Sequence, residues 1–310
     1  MNHWALFRES FGKMLHPVLW VFGLLTALGG GFSVSLRMGQ ARPLADLPLG
    51  ARALLGDYFR SNLPSILIAG LMISLVLLIF GAFGQTALIN LINKLENRER
   101  ISVGGGVDAG GKRFLHLLAV RIVLALPLLV IGALAAGSFL SAFSGLFDQT
   151  QSEQFFNFST LGTALGLGLL IMIVGLLFSG ISVGAERAVV IEELSIFDSI
   201  GLGVRLFLAQ MGDFLIIGLL FLVVFIAIGL MFGCVIIPLL FANATFGSTQ
   251  SGMFRLEANI TGPIAGLVLV AGLIVGALGS IFVTSVWTLA YRQWRADKVV
   301  KMVKSPDGTY

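Results

Sequence analysis

The sequence predicts an all-α polytopic membrane protein, a bundle of six spanning helices, and three observations predict it. The 310 residues are 57% hydrophobic and only 12% charged, with a mean hydropathy of +0.97; the charged share is about half that of an average globular chain. Several uninterrupted apolar runs exceed the roughly 18 residues that mark a spanning helix. Runs such as LIIGLLFLVVFIAIGLMFG are apolar on every face, where a barrel strand would alternate apolar and polar residues. The composition excludes collagen, coiled coil, a disulfide-stapled secreted domain and a disordered tail protein. It also leaves little room for a soluble catalytic domain.

The elements follow in order. Residues 3–16 carry Trp4, Phe7, Phe11 and Met14 or Leu15 at helical spacing, opposite Arg8, Glu9 and Lys13, which suits a helix lying in the membrane interface. Arg8 and Lys13 ahead of an apolar stretch also fit a signal peptide, but the amphipathic pattern favours the interfacial helix. The first span is expected at 17–36, followed by an outer loop, 37–63, that carries Arg37, Arg42, Arg52 and Arg60. The second span, 64–93, would be about 45 Å long against a hydrocarbon core of about 30 Å, so it must tilt or project. Gly104, Gly105, Gly106, Gly110 and Gly111 weaken any helix before the third span, and that segment reads as a loop or hinge. It lacks the spacing of a phosphate-binding P-loop. Spans three to six are expected at 115–146, 161–184, 214–241 and 262–291. Between the fourth and fifth, Phe197, Ile200, Val204, Phe207 or Leu208, and Met211 fall on one face, predicting a helix flat on the inner leaflet or capping the bundle.

Residues 1–291 thus read as one transmembrane domain and 292–310 as a basic cytoplasmic tail. Its Lys298, Lys301 and Lys304 alternate with Val and Met and suit anionic lipid. Divided at these spans, one side holds fifteen of the 20 Lys and Arg residues and the other five, Arg255 and the four of the outer loop, which places both termini in the cytoplasm. The net charge of +4 therefore reflects topology; nucleic-acid binding would need a larger basic face. Trp20, Trp287, Tyr291 and Trp294 lie near span ends, where rings favour the headgroup region. The single Cys234 sits in an apolar run and makes an intrachain disulfide impossible.

An internal repeat is expected: a short amphipathic segment, a span, an outer loop and a return span, over 3–93, 102–190 and 195–291. In the second and third units an Ile–Ser or Leu–Ser pair opens the segment, followed by an acidic residue (Asp108, Asp198), a basic one (Lys112, Arg205) and Phe–Leu. Units of two spans share one orientation, unlike the inverted repeats of many transporters. The connection RAVVIEELSIFDSIGLGVRLF, with Glu192, Ser195 and Gly201, resembles those of uncharacterised bacterial six-helix integral membrane proteins. That group is similar to the membrane domain attached to some glycerophosphodiester phosphodiesterases. The resemblance implies a fold and a bacterial cytoplasmic membrane, not an activity, because the chain carries no phosphodiesterase domain.

Ionisable residues inside spans are functional candidates by default. Arg121, Glu186, Arg187, Glu192 and Glu193 form the expected polar cluster at the inner face, each within snorkelling reach of the interface. Gln85, Asn90 and Asn93 are expected to make interhelical hydrogen bonds, and Gly162 with Gly166 and Gly272 with Gly276 to allow close helix approach. Three dispersed histidines and one cysteine give no metal-ligand cluster, and neither Gly-x-Ser-x-Gly nor His-Glu-x-x-His occurs. No cofactor is expected. The reading is a non-enzymatic membrane protein that organises lipid or serves as scaffold or accessory subunit, with membrane lipids, a membrane-protein partner or a second copy as companions. The alternative is a transporter or channel for a hydrophobic or lipid-like solute.

Overall fold

The computed structural model describes residues 3–29, 49–147, 158–242, 244–248, 254–258 and 262–304. In chain order its elements are α1 (His3–Met14), α2 (Pro17–Gly29), α3 (Leu49–Glu96), α4 (Val103–Phe147), α5 (Phe158–Ile191), α6 (Ile196–Ala209), α7 (Met211–Ala242), β1 (Ala244–Ser248), β2 (Phe254–Ala258) and α8 (Gly262–Lys304). Among the described residues, α3, α4, α5, α7 and α8 contain five stretches long and apolar enough to cross a membrane. A sixth is counted if α1 and α2, bent by 97°, form one broken span. The chain has the make-up of a multi-pass membrane protein, helical wherever it is long and apolar, since hydrocarbon forces backbone groups to pair within the segment. One addition to the sequence reading is the antiparallel hairpin between α7 and α8, in which β1 and β2 pair with Phe246 opposite Leu256.

The helices run past the limits that hydropathy sets. α3 begins at Leu49, so residues 49–63 of the expected outer loop are helix; 37–48 lie outside the described residues, as do 30–36 of the first span and 148–157 of the next outer connection. The glycine-rich segment is not a loop or hinge: α4 starts at Val103 and carries it straight into the span. Ser102 starts that helix, its hydroxyl accepting the Gly105 N–H at 3.1 Å. Gly106 then lies against Phe22 and Leu91, and Gly110 against Phe83, so the missing side chains admit close packing that offsets the propensity cost. α8 continues unbroken to Lys304, which makes the stretch holding Lys298, Lys301 and Lys304 a helical extension of the last span; 305–310 lie outside the described residues.

One end of the bundle collects the turns, and its Lys94, Arg98, Arg100, Lys112 and Arg113 make it the basic end. The elbow between α1 and α2 falls at His16–Pro17, where proline disfavours helix in the residue before it and suits the first position of the next. The Trp20 indole N–H donates to the Met14 carbonyl at 2.8 Å and satisfies a group that α1 leaves open. α3 and α5 both terminate on a left-handed residue, Arg98 at φ 58° and Glu193 at φ 56°, and a serine then caps the next helix. Ser195 caps α6, exchanging hydrogen bonds with Asp198 through its backbone N–H and side chain. Both serines of the sequence recurrence are therefore helix caps.

The buried core lies toward this end, in three groups. Leu19 and Phe22 of α2 pack on Ala87, Leu88, Leu91 and Ile92 of α3 and Ile281 of α8. Ile89, Leu117, Val120, Ala185 and Val189 join α3, α4 and α5. Leu6 and Phe7 of α1, Phe207 of α6, Phe214, Ile217 and Phe221 of α7 and Phe282 to Trp294 of α8 form the third. α6 packs onto α5, with Gly203 against the Gly184 backbone and the Phe207 ring over Gly180, while Phe197 and Leu208 of its expected apolar face stay exposed. α1 also departs from its expected faces. Phe7 and Lys13 are buried, Lys13 because it bridges Glu9 and Glu96, whereas Trp4 and Leu15 are exposed.

Gly162 and Gly166 do not make the close approach expected of them. A Cβ at Gly162 or Gly166 would meet nothing within 4 Å, because both glycines lie in the far half of α5, away from neighbouring helices. Gly272 is buried and Gly276 half-buried. The tight contacts are Gly29 on Gly81, Gly84 on Thr26, Gly23 on Ile281, and Gly184 on Gly203.

Candidate functional site

The expected five-residue cluster divides into two levels. In the upper one, the Arg121 Nε of α4 donates to Glu186 Oε1 of α5 at 2.7 Å. Arg187 Nη1 lies 3.6 Å from Glu186 Oε2 and donates to the Val183 carbonyl at 3.0 Å. Gln85 of α3 lies near the same carboxylate, and the Thr284 hydroxyl of α8 donates to Gln85 Oε1 at 3.3 Å. The Glu186 carboxylate thus joins α4 to α5, and Gln85 links this level to α8. Glu186 is 6% and Arg187 2% exposed, which corrects the snorkelling expectation: both side chains point into the bundle, not along it to the interface. Charges withdrawn from water this far persist only when paired, and Glu186 pairs with both guanidiniums.

The lower level ties the helix ends. Glu192, just past α5, accepts the Tyr291 hydroxyl and, at 2.7 Å, Arg295 Nη2, both on α8. Glu193 pairs instead with Arg113 of α4. Arg292 donates to the Asn93 carbonyl at 3.1 Å and to its Oδ1 at 2.7 Å. Thr284 on Gln85 and Arg292 on Asn93 keep the same residue offset, so α3 and α8 run parallel and in step for two turns. The expected interhelical role of Gln85 and Asn93 is what the geometry shows, whereas Asn90 Oδ1 is buried without a partner.

Tyr291 and Trp294 are 1% and 2% exposed and belong to the interior rather than a headgroup girdle. Each has its polar atom satisfied there, Tyr291 by Glu192 and the Trp294 indole by Asp213 Oδ2 at 3.1 Å; the same Asp213 faces His3 Nε2 at 3.3 Å. Sequence reasoning missed Arg113, Tyr291, Arg295 and the run Thr284, Ser285 and Thr288 as members of the site. The last three carried a signal, since they put hydroxyls at i, i+1 and i+4 in an otherwise apolar span. Among the described residues no group of His, Cys, Asp and Glu side chains is placed to hold a metal ion.

Compared with known proteins, the chain matches no family model, no curated protein and no solved structure.

Proposed function

We propose that the chain is a non-enzymatic six-span protein of a bacterial cytoplasmic membrane, built from three similar hairpins with both termini inside, that organises lipid or scaffolds a membrane complex as an accessory subunit. One observation carries this reading. From residue 68 to residue 80 every side chain of α3 is exposed, all around the helix and over about 19 Å, while the buried core and the ion pairs of Glu186 and Glu192 lie toward the basic end. A helix bare on every side takes its covering from lipid or from partner helices, and contiguous apolar surface of this kind marks an interaction site. The placement of fifteen of 20 basic residues on one side supports the orientation. The two serine caps and the two left-handed helix ends support the repeat. The resemblance to the membrane domain attached to some glycerophosphodiester phosphodiesterases fits the same architecture.

A second reading, a transporter or channel for a hydrophobic or lipid-like solute, is favoured by the buried polar level around Glu186. Extraction of a tagged protein with its native lipid in polymer nanodiscs, followed by mass spectrometry of what accompanies it, separates the readings. A stoichiometric protein or an enriched lipid class is expected. An unaccompanied chain in bulk-composition lipid would defeat the scaffold reading, and a single enriched apolar metabolite would favour the second.

A further inference from the structure

α1 has a side that neither the bundle nor the ion pairs use. Gly29 of α2 meets Gly81 of α3 and Thr26 meets Gly84, so α2 runs antiparallel to α3, whose stretch from Ile68 to Glu96 is long and apolar enough to cross a membrane. The 97° elbow therefore turns α1 across the spans and lays it along the plane of the membrane. Two contacts set its roll. Lys13 reaches Glu96, the last residue of α3, toward the basic end, whereas the Phe11 ring lies 4.6 Å from that of Phe282 on α8. In the register that pairs Gln85 with Thr284, Phe282 stands level with Phe83, about 20 Å along α3 from Glu96. Phe11 thus marks the hydrocarbon side of α1 and Lys13 the aqueous side.

Leu6, Phe7 and Ser10 are buried against the bundle, and a helix of 3.6 residues per turn puts Arg8 and Gly12 on the opposite side. Arg8 is exposed, and among the described residues it has no carboxylate partner, whereas Glu9 beside it pairs with Lys13. Trp4 and Phe11 stand one turn before and one turn after Arg8, on its hydrocarbon side, 74% and 49% exposed, and Leu15 follows just past the helix end. Ala5, Glu9 and Gly12 lie on its aqueous side. Trp4, Ala5, Arg8, Glu9 and Gly12 line an open cleft of about 570 Å³ along this face, and a Cβ at Gly12 would meet nothing within 4 Å. A guanidinium at the line where apolar side chains give way to polar ones sits at the depth of lipid phosphates, and its fork of donors matches a phosphate.

We propose that the outer face of α1 is a binding site for one anionic glycerophospholipid in the leaflet at the basic end, its phosphate on the Arg8 guanidinium and an acyl chain along Trp4, Phe11 and Leu15. The unpaired charge of Arg8 selects an anionic headgroup over a zwitterionic one, and the exposed rings hold the chain that follows it. The site gives the lipid-organising half of the reading above a lipid class and a place, and it rests on that reading.

The test uses the full chain in nanodiscs of phosphatidylcholine in which a minor share of the lipid is brominated on its acyl chains, as phosphatidylglycerol in one series and as phosphatidylcholine in the other. Bromine quenches tryptophan on contact, and the quenching lost in Trp4→Phe is the part that belongs to Trp4. That part is expected to be about fivefold more sensitive to phosphatidylglycerol, the effect of one basic residue at an anionic surface. Arg8→Gln should bring the two series together and Arg8→Lys should keep most of the difference. Arg100→Gln, which removes an exposed charge off α1 at the same end, should change nothing. Equal quenching by the two lipids in the wild type would overturn the proposal, as would a preference that survives Arg8→Gln or falls equally with Arg100→Gln. Any of these results with an anionic lipid still enriched in native-membrane nanodiscs would remove the site and leave the lipid-organising reading standing.

Discussion

Glu186 pairs with guanidiniums from two helices, and its loss is the sharpest test at the residue scale. Glu186→Gln removes the carboxylate that pairs with both Arg121 and Arg187 and leaves the buried Arg187 guanidinium without its ion-pair partner. The expected cost is about 3–5 kcal/mol, measured as a fall in the unfolding midpoint in nanodiscs. Asp108→Asn removes the partner of Lys112 on the exposed surface of α4, where water screens the pair, and should leave the midpoint unchanged. Equal effects of the two substitutions would contradict the buried network. Arg121, Glu186 and Arg187 were legible in the sequence because a charge inside an apolar run is expensive and stands out. Gln85, Thr284 and Thr288 were less so, because uncharged polar residues are common in spans, and which of them meet depends on the register of helices far apart in the chain.

Glycine decides how the elements approach one another, and spacing alone does not say which glycines do it. At Gly203 a Cβ would stand 2.6 Å from the Ile181 carbonyl oxygen and 2.9 Å from the Ala185 nitrogen, both backbone atoms that cannot move aside. Gly203→Val is therefore expected to destabilise by about 1–3 kcal/mol or more through overpacking. Gly162→Ala meets nothing and should be neutral or gain up to about 1 kcal/mol from helix propensity. Thermal unfolding of the two variants, run side by side, checks the contrast; a costly Gly162→Ala would restore the packing role that its four-residue spacing with Gly166 suggests. The same reasoning explains the start of α4. Five glycines in eight residues, 104–111, argue against helix by propensity, yet Gly106 and Gly110 face α2 and α3, and the gain of that contact is invisible without the partners. The long apolar interiors of the helices were legible throughout. Their ends were not, because α3 and α5 stop on arginine and glutamate in a left-handed conformation where glycine is the usual signal.

At the scale of the whole molecule, the orientation rests on charge bias and can be measured directly. Asp108 is exposed on α4 near the basic end, and the single cysteine, Cys234, is exposed on α7. In a Cys234→Ser background, Asp108→Cys should react with a membrane-impermeant maleimide only after cells are opened. Labelling of intact cells would put the basic end outside and reverse the topology. The multi-pass architecture was legible from runs apolar on every face, because only helices and closed barrels satisfy the backbone in hydrocarbon and barrel strands would alternate. The elbow at His16–Pro17 was marked by its proline, but its 97° angle was not, because it depends on where α8 lies. The hairpin of β1 and β2 gave no alternating signal strong enough to stand out beside the spans.

The position of α1 has a consequence for the order of synthesis. Phe7 meets Phe282 edge to face, ring centroids 5.4 Å apart, and Phe282 leaves the ribosome 275 residues after Phe7. At 5–20 residues per second that is a wait of roughly 14 to 55 s, during which α1 lacks the partner it will finally cover. Its exposed Trp4, Phe11 and Leu15 give it a hold on the membrane surface in the interval. The bundle closes when α8 arrives and α1 docks upon it, a contact between segments far apart in sequence.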